Sequence, residues 1–314
     1  MKKPFFSVII LTYNQSSLLK KALRSVYNQT YKNYEIIVID NYSTDNTFQV
    51  IKLFNKVIYK KIHNRGIISK SRNLGIKLSK GKWLAFLDSD DYWDKNKLHS
   101  VYKKIYKNDF DVACHNEWII NLLGKKEKRK LWSYGPFSEN FYQRMLTTGS
   151  RNSTSASVVK KSFLKKNKIK FDEQKSFVTS EDYCFFLNIA RLNGKFFYMQ
   201  QPLGYHTFYK ESASFNKIRH LKSQMSVIKY HVYKIQKFNR NKNQLYKLIK
   251  ERIEVKNTIV NLKSNFFEVE NINNFFKLFF LKPFLTINFI FFSILKLVKQ
   301  SILYYCYSLK NLLN

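Results

Sequence analysis

The chain opens on short apolar runs that alternate with amphipathic stretches. Ser7 to Leu11 is an apolar run of strand length, ended by the polar Thr12-Tyr13-Asn14. Behind it Ser16 is placed to cap a helix in which Leu19, Ala22, Leu23 and Val26 recur at helical spacing. Glu35 to Ile39 forms a second run, ended by Asp40-Asn41-Tyr42-Ser43-Thr44-Asp45, and Val50, Ile51 and Phe54 mark the inner face of a second helix. Val57 to Ile62 is a weaker third strand, His63 to Gly66 a loop, and Ser69 opens a helix carrying Arg72, Asn73 and Gly75. Trp83 to Leu87, bounded by Lys80-Gly81-Lys82, is continuously apolar and reads as a strand buried on both faces. The pattern is βαβαβαβ with short connections, which predicts a doubly wound α/β sheet with these strands parallel.

The second half is less regular. Asn152 to Val159 is a Ser/Thr-rich stretch running into a strand, and Phe185 to Ala190 is an apolar helix preceded by Ser180-Glu181-Asp182-Tyr183. Lys125 to Lys130 is a charge run suited to a loop tip. From about Leu221 the pattern turns helical and rich in Lys, Asn, Ile and Leu, and from Phe275 it becomes apolar, aromatic and basic. These shifts divide the chain into 1–105, 106–220 and a C-terminal helical extension, 221–314. The longest uncharged run of the tail, Pro283 to Leu295, falls short of the ~20 residues that span a bilayer. It suits an interfacial helix whose lysines meet anionic headgroups, so 275–314 is read as a peripheral membrane contact. A helix packed on the catalytic domain or on a second subunit is the plainer reading of the same stretch.

Charge narrows the partners. Lys and Arg number 56 against 21 Asp and Glu, a formal net charge of +35. Such a surplus favours a polyanionic neighbour, whether nucleic acid, an anionic membrane face or phosphorylated substrates. The three cysteines, Cys114, Cys184 and Cys306, show neither metal-ligand spacing nor a disulfide framework, which fits a reducing cytosol. The apolar run after Met1-Lys2-Lys3-Pro4 is too short for a signal peptide and lacks a small-residue cleavage site. A cytoplasmic protein at the inner face of the membrane is expected.

The chemistry gathers where strands end. Asp88, Asp90 and Asp91 follow the central strand at once, at the end where open α/β sheets bind their ligands. Carboxylates so close repel unless a cation sits among them, and oxygen-rich sites suit Mg²⁺ or Mn²⁺. An acidic turn capping a helix that starts near Trp93 would look the same. At the ends of the first two strands, Tyr13 can stack a base, Thr12 and Asn14 offer hydrogen bonds, and Asp40 with Asn41 can read a base edge. Ordinary turn and capping chemistry accounts for those residues equally. Neither a G-x-G-x-x-G nor a Walker loop is present, which argues against dinucleotide dehydrogenases and P-loop NTPases. A nucleotide diphosphate would then need another hold, which a metal on Asp88 and Asp90 provides.

Four segments occur in order: Ser7-Val8-Ile9-Ile10-Leu11-Thr12-Tyr13-Asn14, Ile39-Asp40-Asn41-Tyr42-Ser43-Thr44-Asp45, Ser71-Arg72-Asn73-Leu74-Gly75 and Phe86-Leu87-Asp88-Ser89-Asp90-Asp91. Together they resemble the family 2 glycosyltransferases of bacterial surface-polysaccharide type. The resemblance implies a GT-A fold, a mixed sheet flanked by helices, and inverting transfer of a sugar from a nucleotide-sugar to a hydroxyl of a lipid-linked or membrane-bound glycan. It implies donor contacts at Thr12, Tyr13, Asn14, Asp40, Asn41, Arg72, Asn73 and Asp88, and a metal on Asp90 with Asp88. Phe171-Asp172-Glu173 and Ser180-Glu181-Asp182-Tyr183 resemble the acceptor side, with Asp182 as base and Glu181 orienting the acceptor or substituting for it. Residues 205–214 resemble the family's closing segment, in which His206 is either a metal or diphosphate contact or an ordinary half-buried histidine. Many relatives carry a second aspartate where this chain has Asn41, so a UDP-sugar is the expected donor and a dTDP-sugar the alternative.

Two other classes remain at this point. A basic nucleic-acid- or polyanion-binding protein accounts for the charge but leaves carboxylates at strand ends unexplained; no nucleic acid is therefore expected as partner. A catalytically dead scaffold conflicts with the intact Asp90 and Asp182.

Overall fold

The computed structural model describes residues 3–121, 128–209, 215–236 and 249, all within one compact unit, Met1–Ile249. The tail from Phe275, on which the membrane expectation rests, lies outside the described residues. The first half runs β1 (Phe6–Thr12), α1 (Ser16–Tyr27), β2 (Tyr34–Asp40), α2 (Thr47–Lys52), β3 (Val57–Lys61), α3 (Ile68–Leu78) and β4 (Trp83–Asp88). It continues through β5 (Tyr92–Trp93), α4 (Lys97–Lys107), β6 (Val112–Asn121), β7 (Lys128–Trp132), α5 (Phe141–Thr148) and β8 (Ser157–Lys160). Then come α6 (Lys161–Lys166), a 3-10 turn (Lys175–Phe177), α7 (Glu181–Arg191), β9 (Phe196–Phe208), α8 (Lys217–Lys229) and a π-helical turn (Tyr230–Gln236). The boundary expected after 220 falls inside α8, which packs on the 3-10 turn and on α7.

One mixed sheet carries the strands in the order β3-β2-β1-β4-β8-β6-β9-β5, with β7 pairing β6. β1 lies parallel to β2 and β4, and β2 parallel to β3, as the βαβ pattern predicts. β8 then runs antiparallel to β4 and to β6, while β9 runs parallel to β6. Helices cover both faces of the parallel part, so β1 and β4 bury nearly every side chain, as their unbroken apolar sequences require. In α1 the buried residues are Leu19, Ala22, Leu23 and Val26, the expected stripe.

The helix expected near Trp93 begins instead at Lys97. Tyr92 and Trp93 form β5, antiparallel to Tyr205 and Gly204 of β9. The Asp94 amide donates to Leu203 O, and the indole Nε1 of Trp93 donates to Ser155 O. Pairing with a strand more than a hundred residues away thus wins over local helix propensity.

α3 matters most for the site, and one glycine sets its distance from the sheet. A Cβ on Gly75 would lie 2.4 Å from Ile9 Cγ2, so a side chain there pushes α3 off β1. Gly75→Ala would ordinarily gain helix propensity. Here we expect overlap with a fully buried strand to prevail, with a loss of about 1–3 kcal/mol in urea unfolding. Unchanged or increased stability would show that α3 can back away freely.

Candidate active site

The chain builds β1, β2 and β3 outward on one side of β1 and then returns to lay β4 on the other. The carboxyl ends of β1 and β4 therefore flank the switch point of the sheet, where a crevice opens and ligands bind. Thr12 to Asn14 stand at one lip and Asp88 to Asp91 at the other.

Arg72, on α3, lies across this crevice. Its Nη2 donates to Asp88 Oδ1 at 2.9 Å, and its Nη1 donates to Glu181 Oε1 at the start of α7. Arg72 is 4% exposed. Burial works against its charge, but Asp88 and Glu181 more than offset that, so its pKa is held above the ordinary arginine value. The guanidinium also lies over the Phe171 ring, 5.3 Å from its centroid. One side chain thus joins the end of β4 to the N-terminus of α7. Arg72 Nε and Glu181 Oε2 are buried with no hydrogen-bond partner among the described residues.

The other carboxylates divide by partner. Asp88 Oδ2 accepts from Thr154 Oγ1 at 3.2 Å, and the Asp88 amide donates to Ser155 Oγ. Asp90 Oδ2 accepts from Tyr209 at 3.2 Å; burial, Asp91 and Asp88 push the Asp90 carboxyl up to about 7. Asp91 accepts from the Thr207 amide at 3.0 Å and pairs with His206 Nδ1 at 3.1 Å. Asp91 therefore does not cap α4 but ties the turn after β4 to β9.

Asp182 sits in the first turn of α7, its Oδ1 accepting from the Tyr183 amide at 2.7 Å. Burial and the neighbouring Glu181 push its carboxyl up to about 7, with Arg72 opposing. Glu181 is paired with Arg72 and Asp182 is not, so the two adjacent acids differ in their partners.

Several expected donor contacts are committed within the fold. Asp40 is 1% exposed; Oδ1 accepts from the amide and hydroxyl of Ser43, and Oδ2 from Tyr59 at 2.6 Å. At that burial the carboxylate lies behind its partners, off the surface that a base would meet. Asn14 donates its amide to Ser43 Oγ and accepts from Thr44 N, stitching the ends of β1 and β2. The Asn73 side chain donates to Phe171 O and Glu173 Oε1 and accepts from Phe171 N, so it pins the acceptor-side segment to α3. Tyr13, 56% exposed, and the buried Thr12 hydroxyl, which has no partner among the described residues, remain at the lip.

His206 is held by Asp91 through Nδ1, at 3.1 Å. The Asp91 charge and a hydrogen bond to it raise its pKa to about 10, against burial, and a histidine held at Nδ1 by a carboxylate keeps Nε2 as the nitrogen that a metal can meet. The side chain of this segment that reaches Asp90 is Tyr209, which also accepts from Gln15 Nε2 at 2.6 Å; Gln15 Oε1 in turn accepts from Ser89 Oγ. Nothing in the local pattern singled out Tyr209 or Gln15. Also missed was a buried layer below: Lys97 Nζ donates to Ser155 O at 2.7 Å, and Tyr134 donates to the fully buried Glu117. The one available signal was a glutamate inside the apolar run around Val112 to Ile120. Among the described residues no three His, Cys, Asp or Glu side chains form a metal-sized cluster.

Fold and site together define a GT-A nucleotide-sugar transferase architecture. The sequence profile of Glycosyl transferase family 2 matches residues 7–167, and the chain belongs to that family. It is 31% identical to the UDP-Glc:alpha-D-GlcNAc-diphosphoundecaprenol beta-1,3-glucosyltransferase WfgD of Escherichia coli, over 71% of this chain and 84% of WfgD. It is 32% identical to glycosyltransferase GlyA of Streptococcus pneumoniae over 44% of this chain, and that match spans only 21% of GlyA. The structure of S. aureus TarS 1–349 in complex with UDP-GlcNAc superposes with a TM-score of 0.60 at 21% identity, covering 86% of this chain and 78% of TarS 1–349. Among the described residues no helix is long and apolar enough to cross a membrane.

Replacing Arg72 by Met keeps the side-chain volume but strands Asp88 and Glu181. We expect a loss of about 3–5 kcal/mol at neutral pH in urea unfolding. A cost below about 1 kcal/mol would mean that Arg72 is not their counter-ion.

Proposed function

We propose that this chain transfers a sugar from a nucleotide-sugar to a hydroxyl of a lipid-linked or other membrane-bound glycan, in the assembly of a surface polysaccharide. The observation that carries the reading is the Arg72 fork. It holds Asp88 at the switch point and Glu181 at the mouth of α7, beside Asp182, whose carboxyl burial and Glu181 push up to about 7 against the pull of Arg72. A general base works best with a pKa near the working pH. Asp182 is the base that takes the acceptor proton, and Glu181, charge-paired with Arg72, orients rather than substitutes. By family resemblance the single displacement inverts the anomeric carbon.

In this reading Tyr13, exposed at the lip, meets the base beside Thr12. Asp90 and Asp88 are hard oxygen donors; burial first, then the like charges of Asp91 and Asp88, push Asp90 up to about 7, and a divalent cation would relieve the like-charge part. Mn²⁺ or Mg²⁺ held there would act as a Lewis acid towards the leaving diphosphate. Support for a UDP-sugar donor and a lipid-linked acceptor comes from WfgD, whose name states both; a dTDP-sugar is the second choice. A site at the cytoplasmic membrane face follows from such an acceptor and from the basic, aromatic tail beyond Phe275.

The test is donor hydrolysis and transfer across UDP-, dTDP-, CDP- and GDP-sugars, with Mn²⁺ or Mg²⁺ and with chelator. We expect cleavage of a pyrimidine donor that chelator abolishes. Asp182→Asn should keep nucleotide affinity within about twofold while transfer falls by about 10²–10⁴. Transfer near the wild-type rate would remove Asp182 as base. Absence of both nucleotide binding and cleavage, with salt-dependent binding to generic RNA or DNA, would replace the whole reading by the polyanion-binding one.

A further inference from the structure

The structure fixes which end of the Asn41 side chain a ligand can meet. Asn41 follows β2 directly, and its amide donates to Thr12 O at 3.0 Å, which sets it beside the end of β1 and next to the exposed Tyr13. The side-chain Oδ1 of Asn41 accepts from the backbone amide of Asn64 at 2.9 Å. A backbone N–H can only donate, so the atom it meets is the oxygen, and the amide orientation is not open to exchange. Asn64 is itself held: it is 6% exposed, its Nδ2 donates to Ser71 Oγ, its Oδ1 accepts from Gly66 N and its carbonyl accepts from Ile67 N. The loop before α3 therefore fixes Asn41 by its oxygen, and the NH₂ has no partner among the described residues. Asp40 offers no alternative, since it is 1% exposed and lies behind the Ser43 and Tyr59 groups it holds.

Resting on the reading of this crevice as a nucleotide-sugar site, we propose that Asn41 meets the nucleobase as a hydrogen-bond donor. The pyrimidine edge gives this a consequence. Uracil and thymine present N3–H, a donor, at the centre of that edge; cytosine presents N3 as an acceptor. A carboxylate at position 41 complements the first pair and opposes cytosine. The NH₂ of Asn41 complements cytosine N3 and serves uracil only through a ring carbonyl. The base subsite of this chain accepts cytidine nucleotides at least as well as uridine nucleotides, and Asn41 is the residue that decides it.

The experiment is calorimetric titration of the full chain with CDP and with UDP, in Mg²⁺, for wild type, Asn41→Asp and Asn41→Ala. An aspartate can still accept from Asn64 N, so the loop is retained, which an unchanged melting temperature checks. We expect wild type to bind CDP at least as tightly as UDP. Asn41→Asp should move the ratio of the two dissociation constants about tenfold towards UDP, the worth of exchanging one matched hydrogen bond for an opposed one. Asn41→Ala should weaken CDP several-fold without strengthening UDP. Wild type binding UDP more than tenfold tighter than CDP, or a ratio that stays within twofold in Asn41→Asp while both nucleotides bind, would overturn the proposal and leave the transferase reading standing. Failure of wild type to bind either nucleotide would overturn both.

Discussion

A guanidinium buried between two halves of a protein must be neutralised by both, and the arrangement around Arg72 follows from that requirement. Its forked donors demand acceptors in one plane about a hydrogen-bond length away, which Asp88 and Glu181 supply from elements 16 and 109 residues distant in sequence. The fork holds only if α3 packs tightly on β1, which Gly75 permits, and only if the segment before α7 returns to α3, which the Asn73 contacts to Phe171 and Glu173 secure. The cost of burying the charge is met by the same contacts that align the strand end with the helix mouth. Loss of the cation would leave the buried Glu181 and the half-buried Asp88 without their shared counter-ion.

A second layer of charge steadies the far lip. Asp91 binds both His206 and the Thr207 amide, so the acidic turn after β4 is tied to the strand that ends in Tyr209. Lys97, wholly buried, lies 3.4 Å from the centroid of the Trp93 ring and donates to Ser155 O, the carbonyl that also receives the Trp93 indole. Ser155 in turn receives the Asp88 amide. The carboxylates exposed to a ligand are thus a small remainder of a larger set, most of which is engaged in keeping the turn in place. That division separates Asp90 and Asp182, both raised towards neutrality, from Asp91 and Glu181, which are paired.

Much of the fold was legible because its signal is local. Unbroken apolar runs such as Trp83 to Leu87 and the α1 stripe report burial directly, and their order sets the parallel core. The placement of polar residues at the ends of β1, β2 and β4, acids at the last two, follows from the same periodicity. What was hidden is decided by partners remote in the chain. Trp93 reads as a helix start until β9 pairs with it; Asp40, Asn14 and Asn73 read as ligand groups until Tyr59, Ser43 and Phe171 claim them. His206 was legible as the residue type of the closing segment, but its Asp91 partner and the reach of Tyr209 to Asp90 were not. Hydrogen-bonding capacity is a property of the residue, but whether it is spare is a property of the fold.

The central claim is that the Arg72 fork leaves Asp182 as the group that accepts the proton. The most direct measurement is the pH dependence of kcat/KM for sugar transfer between pH 5 and 9. A base must be ionised to act, so the rate should rise with pH through an acid limb with its midpoint near the Asp182 value of about 7, and should level off above it. A rate that stays flat from pH 5 to 8 would contradict the account, because the base would then be a group that no neighbouring carboxylate and no burial had raised.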